Sequence, residues 1–167
     1  MQFFAIRLTC SLFIFSTNTK QMIEGVLFTE LKIIPVDTGN VLHAMKKGDS
    51  GECGLGEAYF STVEPGAIKG WKRHQRMTLN LVVPMGEIRF VLFDDRHNSL
   101  TKGEFLEEHL SQRNYLRLTV PPGIWVGFKG CGKGMSIALN IADIPHDPYE
   151  SDRLNLNEIA YDWGIST

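Results

Sequence analysis

The stretch VPMGEIRFVLFDD, residues 83–95, decides the fold class. Two apolar runs flank Pro84-Met85-Gly86-Glu87, a tetrapeptide whose proline and glycine suit a tight turn, so the stretch predicts two strands in hairpin register. Just upstream, Met77-Thr-Leu-Asn-Leu-Val-Val83 alternates with period 2: Thr78 and Asn80 share one face, and Met77, Leu79, Leu81 and Val83 the other. That alternation allows a polar inner wall on which Asn80 would meet a ligand. From Val26 onward the pattern repeats as short runs rich in Val, Ile, Phe, Leu and Thr, broken by Gly, Pro, Asn and Asp. Strands are expected at 26–34, 57–63, 67–72, 77–83, 87–93, 104–109, 115–119, 124–128 and 135–142, with a short helix or strand after Pro148. The chain is all-β, and the spacing suits a sandwich or barrel.

With 167 residues the chain fits one domain, since ~150 residues is a common single-domain size. Seventeen Lys and Arg against nineteen Asp and Glu leave a net charge of -2. No global field draws nucleic acid or anionic lipid, so an anion site must be local. Three cysteines, Cys10, Cys53 and Cys131, stand far apart without a CxxC pair, which suggests neither a disulfide framework nor a zinc site and fits a reducing cytoplasm. Residues 1–21 are apolar, but Arg7 interrupts them and no charged leader precedes them, so neither an export signal nor a membrane span is well formed. The expected domain is 22–167, with 1–21 as an extension and Met22 the favoured start.

The densest charge lies in KGWKRHQR, residues 69–76, where strict alternation puts Lys69, Trp71 and Arg73 on one face and Gly70, Lys72 and His74 on the other. Cations on an edge strand discourage aggregation. Beside so apolar a hairpin, however, the same cations suit an anion-binding site. GCGKG lacks the spacing and strand-to-helix setting of a phosphate-cradling loop and reads as a hairpin turn. His109 and His146 lack the His-x-His, Glu and later His that a metal centre inside a β-barrel commonly uses.

YFSTVEPGAIKGWKRHQRMTLNLVVPMGEIRFVLFDDR, followed by LRLTVPPGIWVGF and SIALNIADIPHDP, resembles the cupin enzymes acting on dTDP-4-keto-6-deoxyhexoses. These are the dTDP-4-dehydrorhamnose 3,5-epimerases and the related ketoisomerases. The resemblance covers about residues 23–163 and implies a cupin-type jelly roll, usually dimeric, that needs neither cofactor nor metal and takes a dTDP-linked sugar for surface polysaccharide synthesis. Residue by residue, the family's phosphate-contacting arginine matches Lys69, its catalytic histidine matches Lys72, and His74 matches the second histidine of the ketoisomerase pattern. Arg73 and Arg76 would join Lys69 on the phosphates.

Proton removal beside a ketone needs a base with pKa near ~7 and a donor for the enolate. Imidazole meets the first need, whereas lysine at ~10.4 does so only if burial lowers it. Two assignments follow: Lys72 as a depressed base, or His74 as base with Lys72 as electrophile, the second being preferred. The family's late tyrosine falls near Leu139 and the histidine after Pro-x-Gly at Val126, so Tyr59 is the phenol available. Asp162 is the candidate carboxylate for orienting the histidine. VDTGNVLH resembles an amino-terminal family stretch with His43 in a glutamate's place at the pocket mouth. Trp71 and Trp125 could stack on base or sugar, and Asn140, among Ala138 and Ala142, could bind a hydroxyl. The alternative is a sugar-nucleotide or glycan binding cupin that has lost the machinery, as Lys72, Val126 and Leu139 would allow.

Overall fold

The computed structural model describes residues 22–164, so the expectations for 1–21 lie outside the described residues. In chain order the strands are β1 (Leu27–Glu30), β2 (Ile33–Ile34), β3 (Val41–Leu42), β4 (Glu57–Val63), β5 (Ile68–His74), β6 (Leu79–Met85), β7 (Glu87–Asp94), β8 (Phe105–Ser111), β9 (Leu116–Val120), β10 (Ile124–Gly130), β11 (Ser136–Ala142) and β12 (Ser151–Arg153). A single 3-10 turn, Leu156–Glu158, follows. No described helix is long and apolar enough to cross a membrane. The strands form two five-stranded sheets, β1-β9-β6-β11-β4 and β12-β5-β10-β7-β8, and the small β2-β3 pair. All pairings are antiparallel, and the two sheets close into a cupin-type jelly roll.

The turn at Pro84–Glu87 is not a hairpin. β6 pairs with β9 and β11, whereas β7 pairs with β10 and β8, so the chain crosses between sheets at Gly86. Gly86 has φ 79°, and a Cβ there would lie 2.3 Å from Ser136 Oγ, so both the turn and the close approach require glycine. The GCGKG segment likewise links β10 to β11 across the sheets rather than closing a hairpin. Local turn chemistry is the same for a hairpin and a corner; the hydrophobic faces decide, because both strands have an apolar side to bury between the sheets.

The main core fills that interior with Leu79, Leu81, Val83, Ile88, Phe90, Leu92, Leu118 and Ile124 among others. Asn80 therefore points the opposite way from the expected wall. It is buried outside the interior face, accepting from Thr119 Oγ1 at 2.6 Å and donating to Gly51 O at 3.1 Å. The inner wall of β6 is its apolar face, because burying Leu79 and Leu81 outweighs ordering one amide. A second core lies on the outer face of β5, β7 and β10, where Trp71, Val91 and Trp125 are covered by Ile159 and Trp163 from the tail. Gly127 makes that cover possible: a Cβ would meet Trp163 at 2.8 Å and Trp71 at 3.1 Å.

Candidate active site

β5 carries the charged stretch, and its register against β10 holds the first clue to the site. Val126 pairs with Lys72 and Phe128 with Lys69, so two residues on β10 span three on β5. The extra residue is a β-bulge. Simple alternation would put Lys69 and Lys72 on opposite faces; the bulge brings Lys69, Lys72 and His74 to one cavity. Trp71 and Arg73 remain on the outer face.

Two adjoining spaces share Tyr59, Lys72 and His74. One, of about 350 Å³, is lined by these with Glu57, Met77, His146, Asp147 and Glu150. The deeper one, about 170 Å³, adds Lys69, Val126, Phe128, Asn140 and Arg153. The larger falls within the usual size of small-ligand sites, ~300–1,000 Å³. The walls of the smaller space come from both sheets, with β5 and β10 facing β4, β6 and β11.

His74 is buried and its Nδ1 lies 2.5 Å from Glu150 Oε2. Glu150 is also buried, and its other oxygen accepts from the backbone N–H groups of Arg76 and Met77, each at 2.7 Å. Burial works to raise the Glu150 pKa, but the bonds from His74 and the two amides outweigh it and hold the carboxyl below its ordinary value. Burial is the leading influence on His74 and lowers its pKa, opposed by the bond to Glu150. The pair is therefore a carboxylate and a neutral imidazole whose Nδ1–H donates to Glu150. Nε2, with its lone pair, has no hydrogen-bond partner among the described residues. This is the geometry of an oriented general base.

Lys72 is half-buried beside it. Burial first, and then the nearby Arg153, lower the ammonium pKa. Tyr59 stands on the facing sheet, directly across from Asn140 on β11. Burial raises its phenol pKa, so it stays protonated as a donor. Leu139, at the position where the resemblance places a tyrosine, alternates away from Asn140 and lines neither space. Tyr59 supplies a phenol from the neighbouring strand instead. Asn140 Nδ2 is engaged by Ser61 Oγ at 3.1 Å and the carbonyls of Tyr59 and Ala138, leaving Oδ1 as its free polar atom. Lys69 Nζ donates to Thr62 O at 2.9 Å at the edge of the cavity.

Several expected binding residues lie elsewhere. Trp71 is fully buried in the outer core, and Trp125 donates its indole N–H to Asp95 at 2.9 Å on the same face. Neither can stack on a ligand in the cavity. Arg73 bonds Asp95 and Asp152 and lies 4.5 Å over the Trp125 ring, so its charge is already matched. Arg76 pairs with Asp147 at 2.8 Å at the rim, with its side chain two-thirds exposed. His43 is exposed beside the β2-β3 pair and lines neither space. Asp162 caps Gly164 N at 2.7 Å and does not orient His74.

Glu150 and Arg153 are the site-lining residues hidden in the sequence. They fall in HDPYESDR, where Asp147 and Asp152 offer equally plausible carboxylates. Burial distinguishes Glu150, and strand β12 pairing with β5 brings it to His74. Glu57, His146 and Asp147 line the cavity mouth without any sequence signal for that role.

No family model matches the chain. It is similar to a dTDP sugar isomerase from Desulfovibrio desulfuricans: 37% identity, TM-score 0.83, covering 87% of this chain and 94% of that one. A probable low-salt glycan biosynthesis epimerase, Agl13 of Haloferax volcanii, is 30% identical over 106 residues, which are 63% of this chain and 66% of that protein's own length. The spore coat polysaccharide biosynthesis protein SpsL of Bacillus subtilis is 25% identical over 146 residues, 85% of this chain and 97% of its own. Sequence likeness along nearly the whole fold thus coincides with a jelly roll whose interior holds an oriented histidine, and the chain belongs to the family of cupin-type dTDP-sugar isomerases and epimerases.

Proposed function

We propose that the protein epimerises or keto-isomerises a nucleoside-diphosphate 4-keto-6-deoxyhexose, dTDP-linked, in glycan synthesis, acting in the cytoplasm as a homodimer. One observation carries the reading: a neutral imidazole, His74, is held by a buried carboxylate and opens into a cavity that also contains Lys72 and Tyr59. His74 Nε2 takes the proton from the carbon beside the ketone, and the C–H electron pair moves through the new C=C bond onto the carbonyl oxygen. The Lys72 ammonium stabilises that enolate oxygen. Tyr59, on the facing sheet, returns a proton from the side opposite His74, which inverts the carbon. Where the deprotonated carbon carries a hydroxyl, the enolate oxygen instead takes a proton to give an enediol; that hydroxyl then loses its proton as the former carbonyl carbon gains one, and the ketone has moved one position. Lys69 and Arg153, at the deeper end, neutralise the diphosphate as point charge and fork respectively. Arg73 has no part in this, being matched on the outer face.

Solvent deuterium uptake into a dTDP-4-keto-6-deoxyhexose tests the reaction. Exchange above background is expected with the wild type and its loss with His74→Asn. If the wild type gives none while dTDP binds by calorimetry, the protein is a binding cupin without catalysis.

A further inference from the structure

On the outer face of the second sheet, at the end marked by the Gly86 corner, Glu87, His109 and Cys131 each offer a donor atom, all within 4.8 Å of one another. None of the three lines the cavity that holds His74. Glu87 and His109 stand on the adjacent strands β7 and β8, and Cys131 comes just after β10, the other neighbour of β7. Glu87 opens β7. Cys131 directly follows β10, and its backbone N–H donates to Glu87 O at 2.8 Å, fixing it beside Glu87. Arg89 pairs with His109, which puts His109 on the same face as Glu87, one diagonal step away.

We propose that Glu87, His109 and Cys131 form a binding site for a borderline-soft divalent cation, Zn²⁺ in particular. Thiolate, imidazole and carboxylate are the donors zinc accepts, and a tetrahedral ion with bonds of ~2.0–2.3 Å places its donors ~3.3–3.8 Å apart. His109 Nδ1 already lies 2.8 Å from Glu87 Oε1, and the Cys131 thiol donates to Lys129 O at 3.6 Å. Rotation of these exposed side chains closes the remaining gap. Three sequence-distant donors, two on neighbouring strands and one just past a third, thus lie within 4.8 Å of one another, a convergence of thiol, imidazole and carboxylate that a solvated charged face does not require. On binding, the Cys131 thiol releases its proton to solvent, the neutral His109 gives a ring-nitrogen lone pair, Glu87 gives a carboxylate oxygen, and water fills the fourth position. An open groove of about 480 Å³ lined by Glu87, Ser111, Gln112, Cys131 and Lys133 leads to the site. The ion would tie β8, β7 and β10 together at this end, away from the chemistry.

The test uses the full chain with Cys10→Ser and Cys53→Ser, so that Cys131 is the one thiol, freed of metal with a chelator. One equivalent of Co²⁺ is expected to give a thiolate-to-cobalt charge-transfer band, and Zn²⁺ to displace it with a Kd of ~1 μM or tighter. Cys131→Ser should abolish the band, and His109→Ala should weaken Zn²⁺ binding by at least ~10-fold, with circular dichroism unchanged. Absence of the band, zinc binding weaker than ~100 μM, or equal affinity in both variants would overturn the site. Deuterium exchange on the keto-sugar is independent of these readouts, so failure here leaves the reaction standing.

Discussion

The two faces of β5 carry similar side chains to opposite ends. On the inner face, burial lowers the pKa of Lys72 and His74, and for the lysine it outweighs the nearby Glu150 and Glu57 carboxylates, neither of which forms an ion pair with it. On the outer face, burial also opposes the charge of Arg73, but Asp152 and Asp95 outweigh it and Trp125 lies beneath the guanidinium. The lesson is that a cation gains chemical reactivity from what it lacks. Arg73 has two carboxylates and an aromatic ring, so its charge is matched; His74 has one carboxylate on Nδ1 and an open Nε2, the arrangement the proposed base requires.

Substitutions across that strand test the contrast. The largest effect belongs to His74→Asn, expected to reduce turnover by ~10³-fold or more with folding intact, since general-base catalysis is worth ~10²–10⁴. Next is Glu150→Gln, for which a ~10²-fold loss is expected. Its pH profile separates orientation from fold: Glu150 raises the His74 pKa, so removing its charge should move the acid limb of kcat/KM to lower pH. In the wild type that limb reflects loss of the neutral imidazole, and should lie below the ordinary histidine value of ~6.5. An acid limb above that value would contradict a buried, neutral His74.

Lys72→Met should cost ~10-fold or more in turnover if the ammonium holds the enolate. Activity should then fall as pH rises through a lysine pKa depressed below ~10.4, and this alkaline limb should vanish in the variant. A pH profile unchanged by the substitution would remove Lys72 from the chemistry. The smallest effect is that of Arg73→Met. Its pairs are one-third exposed, so stability should drop by no more than about 1 kcal/mol and turnover by less than about twofold, measured by thermal unfolding and steady-state rates. A catalytic loss as large as that of Lys72→Met would erase the distinction between the faces.

The strands were readable from period-2 patterning and turn residues almost throughout: the expected 57–63 is β4 to the residue, and 87–93, 115–119 and 124–128 each lie within two residues of β7, β9 and β10. What failed was the assignment of faces and partners. Asn80 and Thr78 read as an inner wall because alternation gives two faces without saying which is interior. Trp71 and Arg73 read as binding residues because the segment whose Asp152, Ile159 and Trp163 engage them carries no periodic signal linking it to β5. Lys69 and Lys72 read as opposed because a bulge leaves no mark in composition.

The sequence by itself determined an all-β chain, the strand positions and the charged segment that lines the cavity, since these rest on local sterics and on side chains a few residues apart. Only the tertiary structure decided that the 83–95 turn is a corner between sheets, that Glu150 rather than Asp162 holds His74, and that Lys69 joins Lys72 at one cavity. Those outcomes depend on burial and on pairing between strands some 75 residues apart, as between His74 and Glu150. Residue type supplies the imidazole; desolvation and a long-range hydrogen bond set its orientation and keep it neutral.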